Sequence, residues 1–125
     1  MQSLSADNRL VRFAAIGLDH PHISMQVEFM RDAGAELVAF HSSEDAQARS
    51  FADRYPQARR VDDPRRILED DSIALVVSAA IPRERAALAI SVMRHGKDFM
   101  VDKPGVTSLA QLAEIRHVQR ETKRI

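Results

Sequence analysis

The chain has 125 residues, of which 45% are hydrophobic and 29% are charged, and its 18 basic side chains balance its 18 acidic ones. This length is sufficient for one domain with a hydrophobic core. A neutral chain has no overall positive potential to attract nucleic acid or an anionic membrane. Cysteine is absent, and no apolar run approaches the roughly 20 residues of a membrane span. We therefore expect a cytoplasmic protein that contacts neither nucleic acid nor membrane, with residues 1–10 forming a disordered tail.

Short apolar runs, typical of buried strands, alternate along the chain with helical patterns. In the first helical pattern Ile23, Val27 and Met30 recur on one face. Ser43 is the expected N-cap of the second helix, and Thr107 or Ser108 that of the last. The predicted strands are residues 11–16, 36–40, 60–61, 73–80 and 99–101.

This alternation predicts an α/β fold, a Rossmann-like doubly wound parallel sheet of strand order 3-2-1-4-5 with helices on both faces. Ligands of such sheets bind beyond the carboxyl ends of the strands, where the strand order reverses between strands 1 and 4. The loops expected at this edge are residues 17–22, 41–44, 80–83 and 102–105.

The first of these loops matches a dinucleotide-binding fingerprint, Gly-x-Gly-x-x-Gly, only in part. The three glycine positions hold Gly17, Asp19 and His22. Gly17 suits the tight turn, but Asp19 adds negative charge where a pyrophosphate should lie, and His22 is bulkier than glycine. The helix N-terminus could still hold the pyrophosphate, so Gly17, Leu18, Asp19, His20 and His22 are candidate cofactor-binding residues. The alternative is a degenerate turn that binds no dinucleotide.

His20 and His22 also form a His-x-His pair, which raises the question of a metal site. A metal ion requires a third or fourth ligand, and none lies nearby at a recognisable spacing. The sequence therefore predicts no metal centre.

The end of the second strand bears on the choice of cofactor. An NAD site has a carboxylate there that binds the ribose 2′-hydroxyl, but the matching position holds Ser42. A serine favours NADP weakly, although no arginine stands beside it to bind a 2′-phosphate. Ser42 is a candidate cofactor contact, and the choice between NAD and NADP stays open.

Residues 96–104 are Gly-Lys-Asp-Phe-Met-Val-Asp-Lys-Pro, in which Asp-Lys-Pro follows the Gly-Lys pair after four residues. This segment resembles the Gly-Lys-x-x-x-x-Glu-Lys-Pro signature of the glucose–fructose oxidoreductase/inositol dehydrogenase (Gfo/Idh/MocA) family, with Asp102 in place of glutamate. From about Arg12 to its end, the chain resembles the N-terminal domain of that family. Residues 36–40 and 51–55 resemble the family's second strand and the helix that follows it. Members are two-domain NAD(P)-dependent oxidoreductases that often act on sugars, polyols or related molecules.

The resemblance implies a catalytic role for Lys103, which it places beside the reacting carbon. A lysine there could bind the substrate hydroxyl that loses its proton, and its charge would stabilise a developing alkoxide. Asp102 would orient Lys103 or contact the nicotinamide ribose. Without the resemblance, this segment would be an ordinary turn with exposed charges.

The segment Ala80-Ile81-Pro82 resembles the family's Ala-Thr-Pro loop beside the nicotinamide, so Ala80 and Pro82 are further candidate cofactor-binding residues. After the proline, a run containing Arg83 and Arg85 replaces the family's usual Asn and His. Small residues here would admit a flat ring, but they are equally consistent with the end of a buried strand.

The function implied is that of the cofactor-binding domain, residues 11–125, of an oxidoreductase transferring hydride between nicotinamide and a sugar- or polyol-like substrate. The family's C-terminal substrate domain, which usually builds its oligomer interfaces, is absent from this chain. The chain is therefore expected to be catalytically incomplete alone, and a homo-oligomer is an open expectation. The alternative is a non-catalytic Rossmann-like module for ligand sensing or protein association, with a degenerate dinucleotide site.

Overall fold

A five-stranded parallel sheet with the order β3-β2-β1-β4-β5 lies at the centre of the structure, a computed structural model that describes residues 10–125. The predicted fold and strand order are thereby confirmed. Except for Leu10, the predicted tail lies outside the described residues. The strands are β1 (Arg12–Ile16), β2 (Glu36–His41), β3 (Arg59–Arg60), β4 (Leu75–Ser78) and β5 (Asp98–Val101).

Helices connect consecutive strands, and the last helix follows β5. A 3-10 turn at Pro82–Glu84 leads directly into the helix after β4. No helix within residues 10–125 is long and apolar enough to cross a membrane. The helices are α1 (His22–Asp32), α2 (Asp45–Arg54), α3 (Arg65–Leu68), α4 (Arg85–Arg94) and α5 (Leu109–Thr122).

The central strand β1 has a fully apolar interior because helices cover both faces of the sheet. Successive strand side chains point to opposite faces. Phe13 and Ala15 join the core formed with α1 and α2, whereas Ala14 and Ile16 join the core formed with α3 and α4. Helix α5 packs on α4 through Val118. Helices therefore lie on both faces, as predicted.

The N-caps of two helices test the sequence-based capping assignments. The prediction that Ser43 caps α2 was wrong: the helix begins at Asp45, and its N-cap residue is Glu44, which makes no side-chain capping hydrogen bond. The buried Ser42 hydroxyl accepts a hydrogen bond from the Glu44 amide (3.1 Å) and so supports the turn that leads into the helix. At α5, Ser108 is the N-cap, accepting from the Gln111 amide (3.1 Å).

Strand β4 is shorter than the predicted run of residues 73–80. Its pairing with β5 covers Leu75 to Ser78. Ala79 and Ala80 are buried but lie beyond the ladder, where the Ala79 amide donates to the Gly17 carbonyl (3.0 Å). In the sequence these two alanines continue the apolar run of β4, so the pattern could not distinguish them from strand residues.

A hydrogen bond between α1 and the residue after α2 gives a pH-dependent stability prediction. The Tyr55 hydroxyl donates to Glu28 Oε2 (2.8 Å), and this bond is the main reason that the pKa of Glu28 is lowered. Because the folded state lowers this pKa, the ionised carboxylate stabilises the fold at pH values above its unfolded pKa of about 4.3. The contribution is lost as the pH falls through the lower pKa of the folded state.

We expect Tyr55→Phe to lower the free energy of unfolding by about 0.5–1 kcal/mol at pH 7, a modest value because the carboxylate is half exposed and screened. The difference should shrink as the pH falls below the unfolded pKa, about 4.3, and through the lowered pKa of folded Glu28. Urea denaturation at pH 7 and at a series of values down to pH 3 follows this change, with Glu114→Gln on an exposed face of α5 as the control. A Tyr55→Phe deficit of equal size at all these pH values would contradict the assignment.

Candidate functional site

The four loops predicted to form the site meet at the carboxyl edge of the sheet, where the connections from β1 and β4 diverge to opposite faces. Backbone hydrogen bonds join them. The Gly17 amide donates to the His41 carbonyl (3.1 Å), and the His20 amide donates to the Ala79 carbonyl (3.0 Å). The Asp102 amide donates to the Ser78 carbonyl (3.1 Å). The fold therefore brings residues from the ends of β1, β2, β4 and β5 to one crevice.

Gly17 allows the first loop to turn close to the end of β4. Its φ is +85°, in the region that side chains disfavour. A Cβ added to Gly17 would lie 2.6 Å from the Cβ of Ala80 and 3.0 Å from the Ser78 hydroxyl. No other residue fits both the backbone conformation and this space, so the tight-turn role assigned from the sequence has a clear structural basis.

A cleft of about 200 Å³ opens beside this turn, between the ends of β1 and β2 and the start of α4. Asp19 and Glu84 contribute negative charge, and neither lysine nor arginine is found among its described lining residues. Ala80 and Leu88 supply apolar wall. The complete lining is Ile16, Gly17, Asp19, His41, Ser42, Ser43, Ala80, Glu84 and Leu88.

Ser42 lines the cleft, but its hydroxyl is already engaged at the start of α2. It accepts from the Glu44 amide and lies within donating distance of Gln47 Oε1 (3.2 Å). Ser42 is 8% exposed. A hydroxyl held in this way supports the turn into the helix, and the choice between NAD and NADP stays open.

Two other candidates occupy different surroundings. Leu18 is 6% exposed and its side chain packs in the core under α1 and α2, so only its backbone faces the loop. Pro82 begins the 3-10 turn and is exposed. The Leu18 side chain is therefore part of the core and does not border the crevice.

His20, His22 and Asp102 come together across the crevice. Asp102 Oδ2 lies 3.0 Å from His22 Nδ1 and 3.7 Å from His20 Nδ1. His20 Nδ1 accepts a hydrogen bond from the His22 backbone amide (3.0 Å), so His22 is the histidine that can donate to Asp102. The sequence excluded a metal site because no third ligand lay nearby, yet the fold supplies one from 80 residues along the chain.

Asp102 is held in its ionised form. Burial raises the pKa of its carboxyl, but hydrogen bonds from His22 and from the Lys103 amide, together with the imidazole charges, lower the pKa further than burial raises it. The Lys103 amide donates to Oδ1 at 3.0 Å. The Lys103 side chain is exposed at the mouth of the crevice. An anionic carboxylate thus lies next to the lysine implicated by the sequence.

Arg85 is a residue of the site that the sequence noted only as a departure from a family pattern. It is 3% exposed. Its Nε donates to the Ala80 carbonyl (2.6 Å), and its Nη1 donates to the carbonyls of Asp102 (2.8 Å) and Pro104 (3.1 Å). One guanidinium therefore joins the loop after β4 to the turn that carries Lys103. The only signal in the sequence was a charged residue at the start of an otherwise apolar helix.

A parallel sheet whose order reverses at β1, with a positive-φ glycine turn and a cleft at that point, defines a dinucleotide-binding protein of the Rossmann class. The family model GFO_IDH_MocA, described as "Oxidoreductase family, NAD-binding Rossmann fold", matches residues 11–125. The chain belongs to the Gfo/Idh/MocA oxidoreductase family and is an NAD(P)-binding domain of that family. A comparison with curated proteins gives no match.

Solved structures share this fold. A protein from Erwinia carotovora atroseptica described as an oxidoreductase is 38% identical, with a TM-score of 0.88 over 91% of this chain and 34% of its own. Biliverdin reductase from Synechocystis sp. PCC 6803, in complex with biliverdin and NADP+, is 23% identical, with a TM-score of 0.80 over 92% of this chain and 36% of its own. The WlbA dehydrogenase from Chromobacterium violaceum, in complex with NADH and UDP-GlcNAcA, is 18% identical, with a TM-score of 0.83 over 94% of this chain and 34% of its own. The chain thus spans about a third of the length of these structures.

The bonds of Arg85 predict its effect on stability. Arg85→Met keeps the buried stem but leaves three carbonyl oxygens without this donor, so we expect a loss of about 2–3 kcal/mol in the free energy of unfolding. Urea denaturation measures this loss. Arg83→Met, two residues earlier and exposed, is the matched control and should stay within about 0.5 kcal/mol of the wild type. Equal effects of the two substitutions would refute the bridging role.

Proposed function

We propose that this chain is the cofactor-binding part of an oxidoreductase that transfers hydride between nicotinamide and a hydroxyl-bearing small molecule of the sugar or polyol type. The observation that carries the proposal is the meeting of the Gly17 turn with Asp102 and Lys103 at one edge of the sheet. Membership of an NAD(P)-binding oxidoreductase family supports it. The similar structures that contain NADP+ or NADH support the cofactor class.

The residues of the crevice fit the adenosine half of a dinucleotide better than its pyrophosphate. Gly17, Ala80 and Leu88 supply small or apolar lining near the end of β2, which suits a flat ring such as adenine. At the pyrophosphate turn, Asp19 borders the cleft with its negative charge, and the His22 amide is already bonded to His20. Donors for a pyrophosphate would then be the remaining amides of the turn and the imidazole N–H groups.

In the chemistry that we propose, the bound nicotinamide supplies or accepts the hydride. Lys103 would donate a hydrogen bond to the substrate oxygen and, in its neutral form, take the hydroxyl proton as the hydride leaves. Asp102, fixed by His22 and by the Lys103 amide, would orient this turn. Arg85 would hold the backbone on which Lys103 stands. The residues that select the substrate are proposed to lie in the part of the family's length that this chain does not span.

Cofactor binding by the 125-residue chain tests this proposal. We expect NADH to bind saturably, measured by calorimetry or by the fluorescence of the reduced nicotinamide. Lys103→Met should leave the dissociation constant within about 2-fold of the wild type, since the lysine acts on the substrate. Failure of a folded sample to bind NADH and NADPH at millimolar concentration would refute the proposal.

Asp19→Gly tests the pyrophosphate turn separately. Removing a negative charge close to the pyrophosphate is worth about 1 kcal/mol in partly screened surroundings, so NADH affinity should rise about 5-fold. Asp19→Asn removes the charge but keeps the bulk, and Asp53→Asn on the exposed surface of α2 is the control. An unchanged affinity in Asp19→Gly would show that Asp19 points away from the phosphates.

The charges of the cleft favour NAD over NADP, because Asp19 and Glu84 line it without a cation to bind a 2′-phosphate. We expect NADH to bind at least about 10-fold more tightly than NADPH. Ser43→Arg adds a guanidinium at the exposed end of β2 and should raise NADPH affinity selectively. Gln57→Arg, exposed after α2, should not change the ratio. Tighter binding of NADPH by the wild type would overturn this preference.

One observation favours the second candidate function, a non-catalytic module for ligand sensing or protein association. The bond from the His22 amide to His20 removes one donor from the helix start that would otherwise face an anion. On this alternative the wild type binds neither cofactor, and Asp19→Gly gains affinity. That pair of results would favour a vestigial site.

A further inference from the structure

We propose that His20, His22 and Asp102 form a binding site for one first-row divalent transition metal ion, such as Zn²⁺. This site goes beyond the oxidoreductase function and does not depend on it. It replaces the expectation of no metal centre, which was drawn from residue spacing along the chain.

The positions of the three ligand atoms suit a metal ion with small adjustments. One nitrogen of each histidine and one oxygen of Asp102 all lie within 4.8 Å of one another. Oδ2 of Asp102 is 3.0 Å from His22 Nδ1 and 3.7 Å from His20 Nδ1. Metal–ligand bonds of about 2.0–2.2 Å place neighbouring ligand atoms about 3.0–3.5 Å apart. The separations from Asp102 are therefore already close to those of a coordinated ion.

The donor types define the class of metal. Two imidazole nitrogens and one carboxylate oxygen suit Zn²⁺, Fe²⁺, Co²⁺ and their neighbours, whereas Ca²⁺ and Mg²⁺ prefer oxygen ligands alone. Three protein ligands leave at least one coordination position open to water or to an oxygen of another ligand. Both imidazoles are nearly half exposed, at 47% for His20 and 46% for His22. The open position therefore faces the crevice.

Contacts behind the ligands hold Asp102 in place. Its second oxygen, Oδ1, accepts from the Lys103 amide (3.0 Å), and its backbone carbonyl accepts from Arg85 (2.8 Å). Such supporting hydrogen bonds orient metal ligands and tune their affinity. The carboxylate is thus held in place by contacts other than a metal ion, while the two imidazoles lie on the exposed side of the group.

Binding has a cost that the structure specifies. His22 Nδ1 would exchange its proton for the metal, so His22 would carry its remaining proton on Nε2. His20 Nδ1 accepts from the His22 amide, and coordination through that atom would break this bond. Coordination through His20 Nε2 would instead require the ring to turn. Because the amide faces the solvent-accessible crevice, water can replace the lost acceptor.

A second histidine–carboxylate pair provides a matched control within the same chain. On α5, His117 Nε2 lies 3.4 Å from Glu121 Oε1. Among the described residues, His20, His22 and Asp102 are the only group of three such side chains whose ligand atoms lie this close together. If a His–carboxylate pair alone were sufficient for metal binding, His117 and Glu121 would bind as well as the proposed site.

The experiment titrates the untagged 125-residue chain with Co²⁺ and Zn²⁺ in the absence of any cofactor. Calorimetry gives the stoichiometry, and the visible absorption of Co²⁺ reports nitrogen ligation. We expect one ion per chain. His20→Gln, His22→Gln and Asp102→Asn should each weaken binding at least about 10-fold, while His117→Gln should change it less than about 2-fold. Because NADH is absent, the result is distinguishable from failure of the proposed oxidoreductase function.

Three results would overturn the proposal. They are no saturable binding up to about 1 mM Co²⁺, an equal loss in His117→Gln, or less than about 2-fold weakening in the two crevice histidine variants. Circular dichroism of the metal-free variants establishes that each is folded. If Asp102→Asn does not fold, the two exposed histidine variants decide the outcome, because their side chains contribute little to the core.

Discussion

The carboxyl edge of this sheet depends on the close approach of Gly17 to the end of β4. The Gly17 carbonyl accepts from the Ala79 amide (3.0 Å), and a Cβ on Gly17 would lie 2.6 Å from that of Ala80. Gly17 contributes no side chain here, so its backbone can approach the Ala80 methyl group and the Ser78 hydroxyl. This contact joins the loop after β1 to the end of β4 at the point where the two connections diverge.

A second constraint acts on the other side of the crevice, where a buried cation organises the backbone. Arg85 donates to three carbonyl oxygens, two of which belong to the turn that carries Lys103. Its positive charge lies close to Asp102, whose carboxylate is also bonded to His22 and to the Lys103 amide. The turn is thus held by two contacts: the Arg85 guanidinium binds its backbone carbonyls, and the His22 imidazole binds the Asp102 carboxylate. Lys103 is exposed on this supported turn.

The sequence predicted the fold well because the fold depends on local and directional rules. Apolar runs such as the one ending at Ile16 marked the strands, and the right-handed crossover rule limited their order. Contacts between residues far apart in the chain could not be predicted. Asp102 is 80 residues from His22, and Arg85 binds backbone oxygens, which leave no trace in side-chain patterns. The assignment of Ser43 as the cap of α2 failed for a related reason, since the start of the helix at Asp45, with Glu44 as its N-cap residue, depends on how the chain turns after β2.

The first loop differs from a glycine-rich fingerprint because Asp19 and His22 occupy two of the three glycine positions. This difference changes which groups face the crevice. A glycine-rich turn binds phosphate through backbone amides that nothing obstructs. Here Asp19 adds negative charge beside the cleft, and His20 takes up the His22 amide. In return, the loop presents two imidazoles towards Asp102 on the opposite wall. Side-chain contacts of His20 and His22 with Asp102 therefore join the first loop to the turn after β5, in addition to the backbone hydrogen bonds of the loop.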